Sequence, residues 1–175
     1  MYTVRLLTAD ELRASAEQLA GLLVDTVGSG SSLGFLAPLD PVEAAGWWRA
    51  LAPDVEAGRL LLWAACAEAD GRIAGTVQLR PAAPANGRHR AEVAKLMVDR
   101  ADRGRRLAGR LLAALERAAA DRGIRTLVLD TETGSPAERL YAAAGWTRVG
   151  TVPDYATDPS GAPHATTLFY KALRA

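Results

Sequence analysis

The stretch Arg103-Gly104-Arg105-Arg106-Leu107-Ala108-Gly109-Arg110 is the part of this sequence best equipped for chemistry. Four arginines and two glycines stand where an apolar strand pattern gives way to a helical one. The first N–H groups of a helix have no partner inside it, and the helix dipole puts partial positive charge at that end. Such a turn holds a phosphate through backbone and guanidinium groups together. Taken alone, the arginines also fit a plain solvated helix start. Three further side chains suit acid–base work: Glu92 at the start of the strand before the turn, Asp130 at the end of the next strand, and Tyr141 in the following helix. A strand-end carboxylate is often merely solvated, but it can also accept a proton, and a phenol can donate one.

These groups must be positioned by elements that the periodicity reveals. Val93, Leu96, Met97 and Val98, with Ala94 and Lys95 between them, predict a strand over Glu92–Val98. Leu107, Leu111, Leu112, Leu115, Ala118 and Ala119 recur at three- and four-residue spacing, which predicts a helix to about Arg122, ended by Gly123. At this position in the turn a right-handed helical φ is expected for Arg106. Thr126–Leu129 reads as a buried strand closing on Asp130, and Ser135-Pro136 opens a helix through Ala144. Upstream, a strand over Thr3–Leu7 precedes the capping box Thr8-Ala9-Asp10-Glu11, whose helix ends near Val27. Gly28 to Leu39 is either a connector or an adaptable lid. Asp40-Pro41 starts a second helix carrying Trp47 and Trp48, aromatics suited to the core or a pocket wall. Strands over Arg59–Ala67 and Arg72–Leu79 flank the hairpin signal Asp70-Gly71. Thr147–Val152, a turn-rich loop from Asp154 to Pro163, and a strand ending at Leu173 complete the chain. The order β-α-α-β-β-β-α-β-α-β-β predicts an α/β (α+β mixed sheet) fold in a single domain over residues 1–175.

Composition narrows the function classes. Hydrophobic residues make up 49% and charged residues 23%, with a net charge of +1, which argues against nucleic acid as a general partner. The longest apolar run, Leu60 to Ala67, is too short to cross a bilayer. The N-terminal stretch lacks a signal-peptide pattern, so a cytoplasmic location is expected. Cys66 is the single cysteine; with His89 and His164 far apart it offers no metal-ligand spacing, and no metal is expected. Cys66 itself reads as an inert core residue.

The strand, basic turn and helix together resemble motif A of the GNAT superfamily of N-acetyltransferases, Arg/Gln-x-x-Gly-x-Gly/Ala after a strand. Arg103, Gly104, Arg105, Leu107 and Ala108 fall into place, and Arg106 replaces the central glycine. The stretch from Gly134 to Trp146 resembles the family's Asn-x-x-Ala-x-x-x-Tyr-x-x-x-Gly-Phe element. Ala137, Tyr141 and Gly145 match, while Gly134 stands for asparagine, with Ser135 as a partial substitute. The stretches AEVAKLMV, LDTETGS, FLAPLD and HATTLFYKAL look like the tabtoxin-resistance type of acetyltransferase.

The resemblance implies a mixed six- to seven-stranded sheet with about four helices and acetyl-CoA as co-substrate. It implies that Arg103, Gly104, Arg105, Arg106, Leu107, Ala108, Gly109 and Arg110 grip the pyrophosphate. It implies that the strand before the turn splays from its neighbour, so that Leu96, Met97 and Val98 pair with the pantetheine arm. Acetyl transfer to an amine also needs a donor to the thioester carbonyl, a base, and an acid for the leaving thiolate. Val98 N–H is the candidate donor, Glu92 or Asp130 the candidate base, and Tyr141 the candidate acid. Asp99 would repel phosphate and is expected to point elsewhere. The expected acceptor is a small amine-bearing toxin or amino-acid-like compound, with a homodimer possible. A protein or peptide acetyltransferase and a non-catalytic acyl-CoA sensor are the competing readings.

Overall fold

A computed structural model describes residues 1–173. The elements in chain order are β1 (Tyr2–Leu6), α1 (Ala9–Ala14), α2 (Ala16–Gly28), α3 (Pro41–Ala50), α4 (Ala52–Glu56), β2 (Leu61–Ala67), β3 (Ile73–Pro81), β4 (Arg90–Val98), α5 (Leu107–Asp121), β5 (Thr126–Glu132), α6 (Pro136–Ala143), β6 (Thr147–Thr157) and β7 (Pro163–Ala172). Short 3-10 turns lie at Ala85–Gly87 and Arg100–Asp102. The strands form one seven-stranded mixed sheet in the order β1-β2-β3-β4-β5-β7-β6. The expected fold class and sheet are present.

Local chemistry sets most helix ends. Thr8 N–H donates to Glu11 Oε2 (2.8 Å) and Glu11 N–H to Thr8 Oγ1 (3.2 Å), a complete capping box. Asp40 and Ser135 cap α3 and α6 ahead of Pro41 and Pro136. Two of the four expected helices are each divided. Ser15 leaves helical geometry (φ −99°, ψ 5°) between α1 and α2. Pro53, which lacks an N–H and crowds the carbonyl four residues back, stops α3 and allows only the short α4.

Most strand boundaries shift by one or two residues from the sequence reading, and two shifts have a clear local cause. Arg59 and Leu60 both donate backbone N–H groups to Asp54 O, closing α4, so β2 begins at Leu61. The expected loop from Asp154 to Pro163 is shorter: β6 runs on to Thr157, past a bulge between Val152 and Ala156, with Asp154 at φ 49°. Pro153 is tolerated because β6 is an edge strand. The remaining turn is held by Asp158 Oδ1, which accepts N–H groups from Ser160 (2.8 Å) and Ala162 (3.1 Å).

The core has two halves, one on each face of the sheet. On one face, Leu107, Leu111, Leu112 and Leu115 of α5 are buried against Val77, Leu79, Val93 and Leu127. Each such leucine contributes roughly 1.5–3 kcal/mol of burial free energy. The other face packs Leu12, Leu19, Leu23 and Trp48 against Leu62, Ala64 and Met97, with Cys66 among these core residues. Among the described residues, no helix is long and apolar enough to cross a membrane.

Candidate active site

The site begins where β4 and β5 part. They pair in parallel only from Arg90↔Thr126 to Glu92↔Val128. Beyond Glu92, the β5-facing edge of β4 has no strand partner among the described residues. On its other edge β4 bulges: Thr76 faces Met97 and Gln78 faces Ala94, leaving Lys95 and Leu96 opposite Val77 alone. Lys95 takes φ 51° in the bulge, and its carbonyl accepts a hydrogen bond from Thr76 Oγ1 (3.0 Å). Asp99 N–H donates to Ala74 O (2.9 Å). The alternation of an antiparallel ladder then turns the N–H of Val98, paired with Gly75, toward the open edge.

The basic turn follows. Gly104 (φ 80°) and Arg106 (φ 60°) are both left-handed, so the right-handed φ expected of Arg106 is corrected. The backbone must reverse sharply to start α5 there, a conformation that favours glycine. Arg106 is the N-cap of α5 and no side chain caps the helix, leaving its first-turn N–H groups free to meet a ligand. Asp99 is turned away as expected: Oδ1 accepts Ala101 N–H (2.9 Å) and Oδ2 accepts Arg72 Nη1 (3.1 Å). Asp102 is only 3% exposed. It accepts from the Tyr2 hydroxyl and from Arg72 Nη2 (2.6 Å). The Tyr2 hydrogen bond and the Arg72 guanidinium hold its carboxyl below the usual range.

A cleft of about 980 Å³ runs from this turn along the open edge of β4. Of the sequence-predicted residues, Leu96, Met97, Val98, Arg103, Gly104, Arg106, Leu107, Ala108, Gly109 and Ser135 line it. Arg105 and Arg110 do not. Arg105 Nε lies 3.6 Å from Asp102 Oδ1 with its guanidinium over the Tyr2 ring, and Arg110 Nη2 donates to Tyr2 O (2.8 Å). Tyr2 thus draws both away, a correction that the sequence could not signal because the partner lies a hundred residues earlier.

Asp130 and Tyr141 line the same cleft. Tyr141 is 6% exposed and packs against Trp146 and Phe169. Burial, with the Asp130 charge adding to it, pushes its phenol far above its ordinary value, so it remains an O–H donor through the neutral range. Ser135 Oγ accepts Glu138 N–H (3.2 Å), and Gly134 is left-handed (φ 82°) with its N–H donating to Glu138 Oε2 (2.6 Å). Glycine takes that conformation without steric cost.

A second cavity of about 480 Å³ adjoins the first and shares Lys95 and Asp130 in its wall. Glu92 lines it from the sheet, and Leu33 to Leu36 line it from the loop after α2. That loop is fastened to the far end of the chain: Ser32 Oγ donates to Thr157 O (2.9 Å) and Ala37 N–H to Pro159 O (2.8 Å). Glu92, Asp130 and Tyr141 therefore border two adjoining cavities, Glu92 the smaller, Tyr141 the larger and Asp130 both. Lys95, a mere spacer in the sequence pattern, also borders both. The available signal was its rarity, since Lys171 is the chain's only other lysine.

The model of the acetyltransferase (GNAT) family matches residues 35–146, more than half of the chain. A solved structure provisionally named a phosphinothricin N-acetyltransferase superposes with a TM-score of 0.79 at 22% identity, covering 100% of both chains. The structure of yncA from Salmonella typhimurium with its cofactor acetyl-CoA gives a TM-score of 0.78 at 17% identity, over 100% of this chain and 95% of that one. Ribosomal-protein-alanine N-acetyltransferase from Brucella melitensis gives 0.74 at 23% identity, over 98% and 99%. At these identities the likeness is one of fold.

Proposed function

This chain belongs to the acetyltransferase (GNAT) family of acetyl-CoA-dependent enzymes, and from that premise we propose that it acetylates the amine of a small toxin or amino-acid-like compound. The observation that carries this reading is the run of the cleft: an uncapped helix end opens onto a free strand edge that leads to Tyr141 and Asp130, with Glu92 in the cavity beside it. The stretches AEVAKLMV, LDTETGS and FLAPLD, which resemble tabtoxin-resistance enzymes, support the small acceptor. The closed-over acceptor side, where the loop after α2 is bonded to the β6–β7 turn, supports it over a peptide.

Acetyl-CoA supplies an acetyl group activated as a thioester. The N–H groups of Leu107, Ala108 and Gly109, with Arg103 and Arg106, hold its pyrophosphate against the helix dipole. Val98 N–H donates to the thioester carbonyl oxygen, where negative charge grows during attack. Alkyl ammonium groups have pKa values near 10, so Glu92, directly or through water, must take a proton before the amine can attack. Asp130 shares that task or holds the ammonium. Tyr141, kept protonated by burial, donates to the departing sulfur.

Thiol release from acetyl-CoA with a panel of small amines and one peptide tests the reading. Small amines should turn over and the peptide should not. Glu92→Gln should lower kcat by roughly a hundredfold or more, the usual scale of acid–base assistance, with CoA affinity nearly intact. Collapse of cofactor binding in that variant would overturn the assignment of roles. CoA binding with no turnover of any amine would favour a sensor.

A further inference from the structure

Lys95 carries a charge that two aromatic faces and one carbonyl attend but no anion in contact neutralises among the described residues. Its Nζ donates one hydrogen bond, to the neutral carbonyl of Leu33 (2.9 Å), and lies 5.7 Å and 5.5 Å from the ring centroids of Phe35 and Trp47. An ammonium has three donors. Among the described residues Lys95 makes no ion pair, although Glu92 and Asp130 act on it from a distance. Burial, reinforced by the Arg80 charge, lowers its proton affinity. A desolvated cation without an anion in contact is unfavourable, and so is a non-glycine residue in left-handed geometry, which persists where surrounding structure enforces it. Thr76 enforces it here by bonding the Lys95 carbonyl.

The surroundings show what would balance this charge. Lys95 borders both cavities, and so does Asp130; Glu92 lies in the smaller one. A cationic amine is drawn to the carboxylates, and an anion in the same space is drawn to the ammonium. We propose that Lys95 is a specificity-determining residue that binds a carboxylate of the acceptor, so that the preferred acceptors are amines that also bear an acid group. This inference rests on the acetyl-transfer reading above, and it makes Lys95 a binding group in the substrate pocket.

Two measurements on the whole protein test it separately from that reading. The first compares matched acceptors, amino acids against their methyl esters, by kcat/KM. The wild type should prefer the acids by at least tenfold. Lys95→Met should erase that ratio by raising KM for the acids, and Lys95→Arg should keep most of it. No preference in the wild type, or a loss in Lys95→Met that strikes acid and ester alike, overturns the proposal and leaves Lys95 as a strut for the loop after α2. The second measurement needs no turnover. Trp47 emission is followed as N-acetyl amino acids and their methyl esters are added, with Trp47→Phe as the control. A saturable change for the acids alone, weakened at least tenfold in Lys95→Met, supports the proposal; equal or absent responses to acid and ester overturn it. If no amine is acetylated, the acetyl-transfer reading fails, and the fluorescence result still decides whether Lys95 binds a carboxylate.

Discussion

Arg106 holds a backbone conformation that costs a side-chain-bearing residue about 1–2 kcal/mol relative to right-handed geometry, and it holds it at the mouth of the cleft. Nothing caps α5 in its place. The strain is tolerated at a point where the backbone N–H groups must face a ligand, and the guanidinium adds a cation to the same rim. Arg106→Gly separates these effects. The variant should melt at a temperature equal to or a few degrees above the wild type, because the strain is relieved. Its affinity for CoA should fall several-fold, and less so at high salt, because a charge is lost while the helix end remains. Thermal melts and CoA titrations at two ionic strengths check both arms. A variant that binds CoA more tightly would show that the arginine obstructs the backbone instead.

The end of β4 beyond its bulge, where Val98 pairs with Gly75, leaves no room for a side chain at that glycine. A Cβ on Gly75 would lie 2.7 Å from Met97 O and 3.3 Å from Leu111 Cδ1, so Gly75→Ala must push β4 or α5 aside. Overpacking of this kind costs about 1–3 kcal/mol. The variant should melt several degrees lower and bind CoA more weakly, since Val98 and the start of α5 both move; calorimetry with a CoA titration measures this. Elements fixed by near neighbours were legible in the sequence: the Thr8–Glu11 box, the Asp40-Pro41 and Ser135-Pro136 starts, and the Gly123 end. Glu92 was also legible as the start of one strand and Asp130 as the end of the next; that they share one face of the sheet comes from the strand pairing. What escaped depends on distant partners. The bulge that aims Lys95 is fixed by Thr76, the retreat of Arg105 and Arg110 by Tyr2, and the continuation of β6 past Pro153 by its ladder to β7.

Several carboxylates that clip the molecule together are held below their ordinary range. Glu11 is held by the Thr8 backbone N–H, Asp102 by the Tyr2 hydroxyl, Glu138 by the Gly134 backbone N–H, and Asp158 by the Ser160 hydroxyl. A depressed folded-state value contributes stability above the unfolded value, near pH 4, that is lost as pH falls through the folded one. The melting temperature should therefore drop between about pH 5 and pH 2, and Asp102→Asn should flatten part of that drop; melts across this range check it. A last consequence concerns how the molecule is made. Among the described residues β6 pairs with β7 alone, and β7 lies between β6 and β5. While the ribosome is still translating residues beyond Thr157, β6 has nowhere to dock, and the loop after α2 lacks its anchors at Thr157 and Pro159. The nascent chain can thus complete the turn from Arg103 to Gly109 well before it has a chamber for the second reactant. The order of emergence separates in time two halves of a site that adjoin in space.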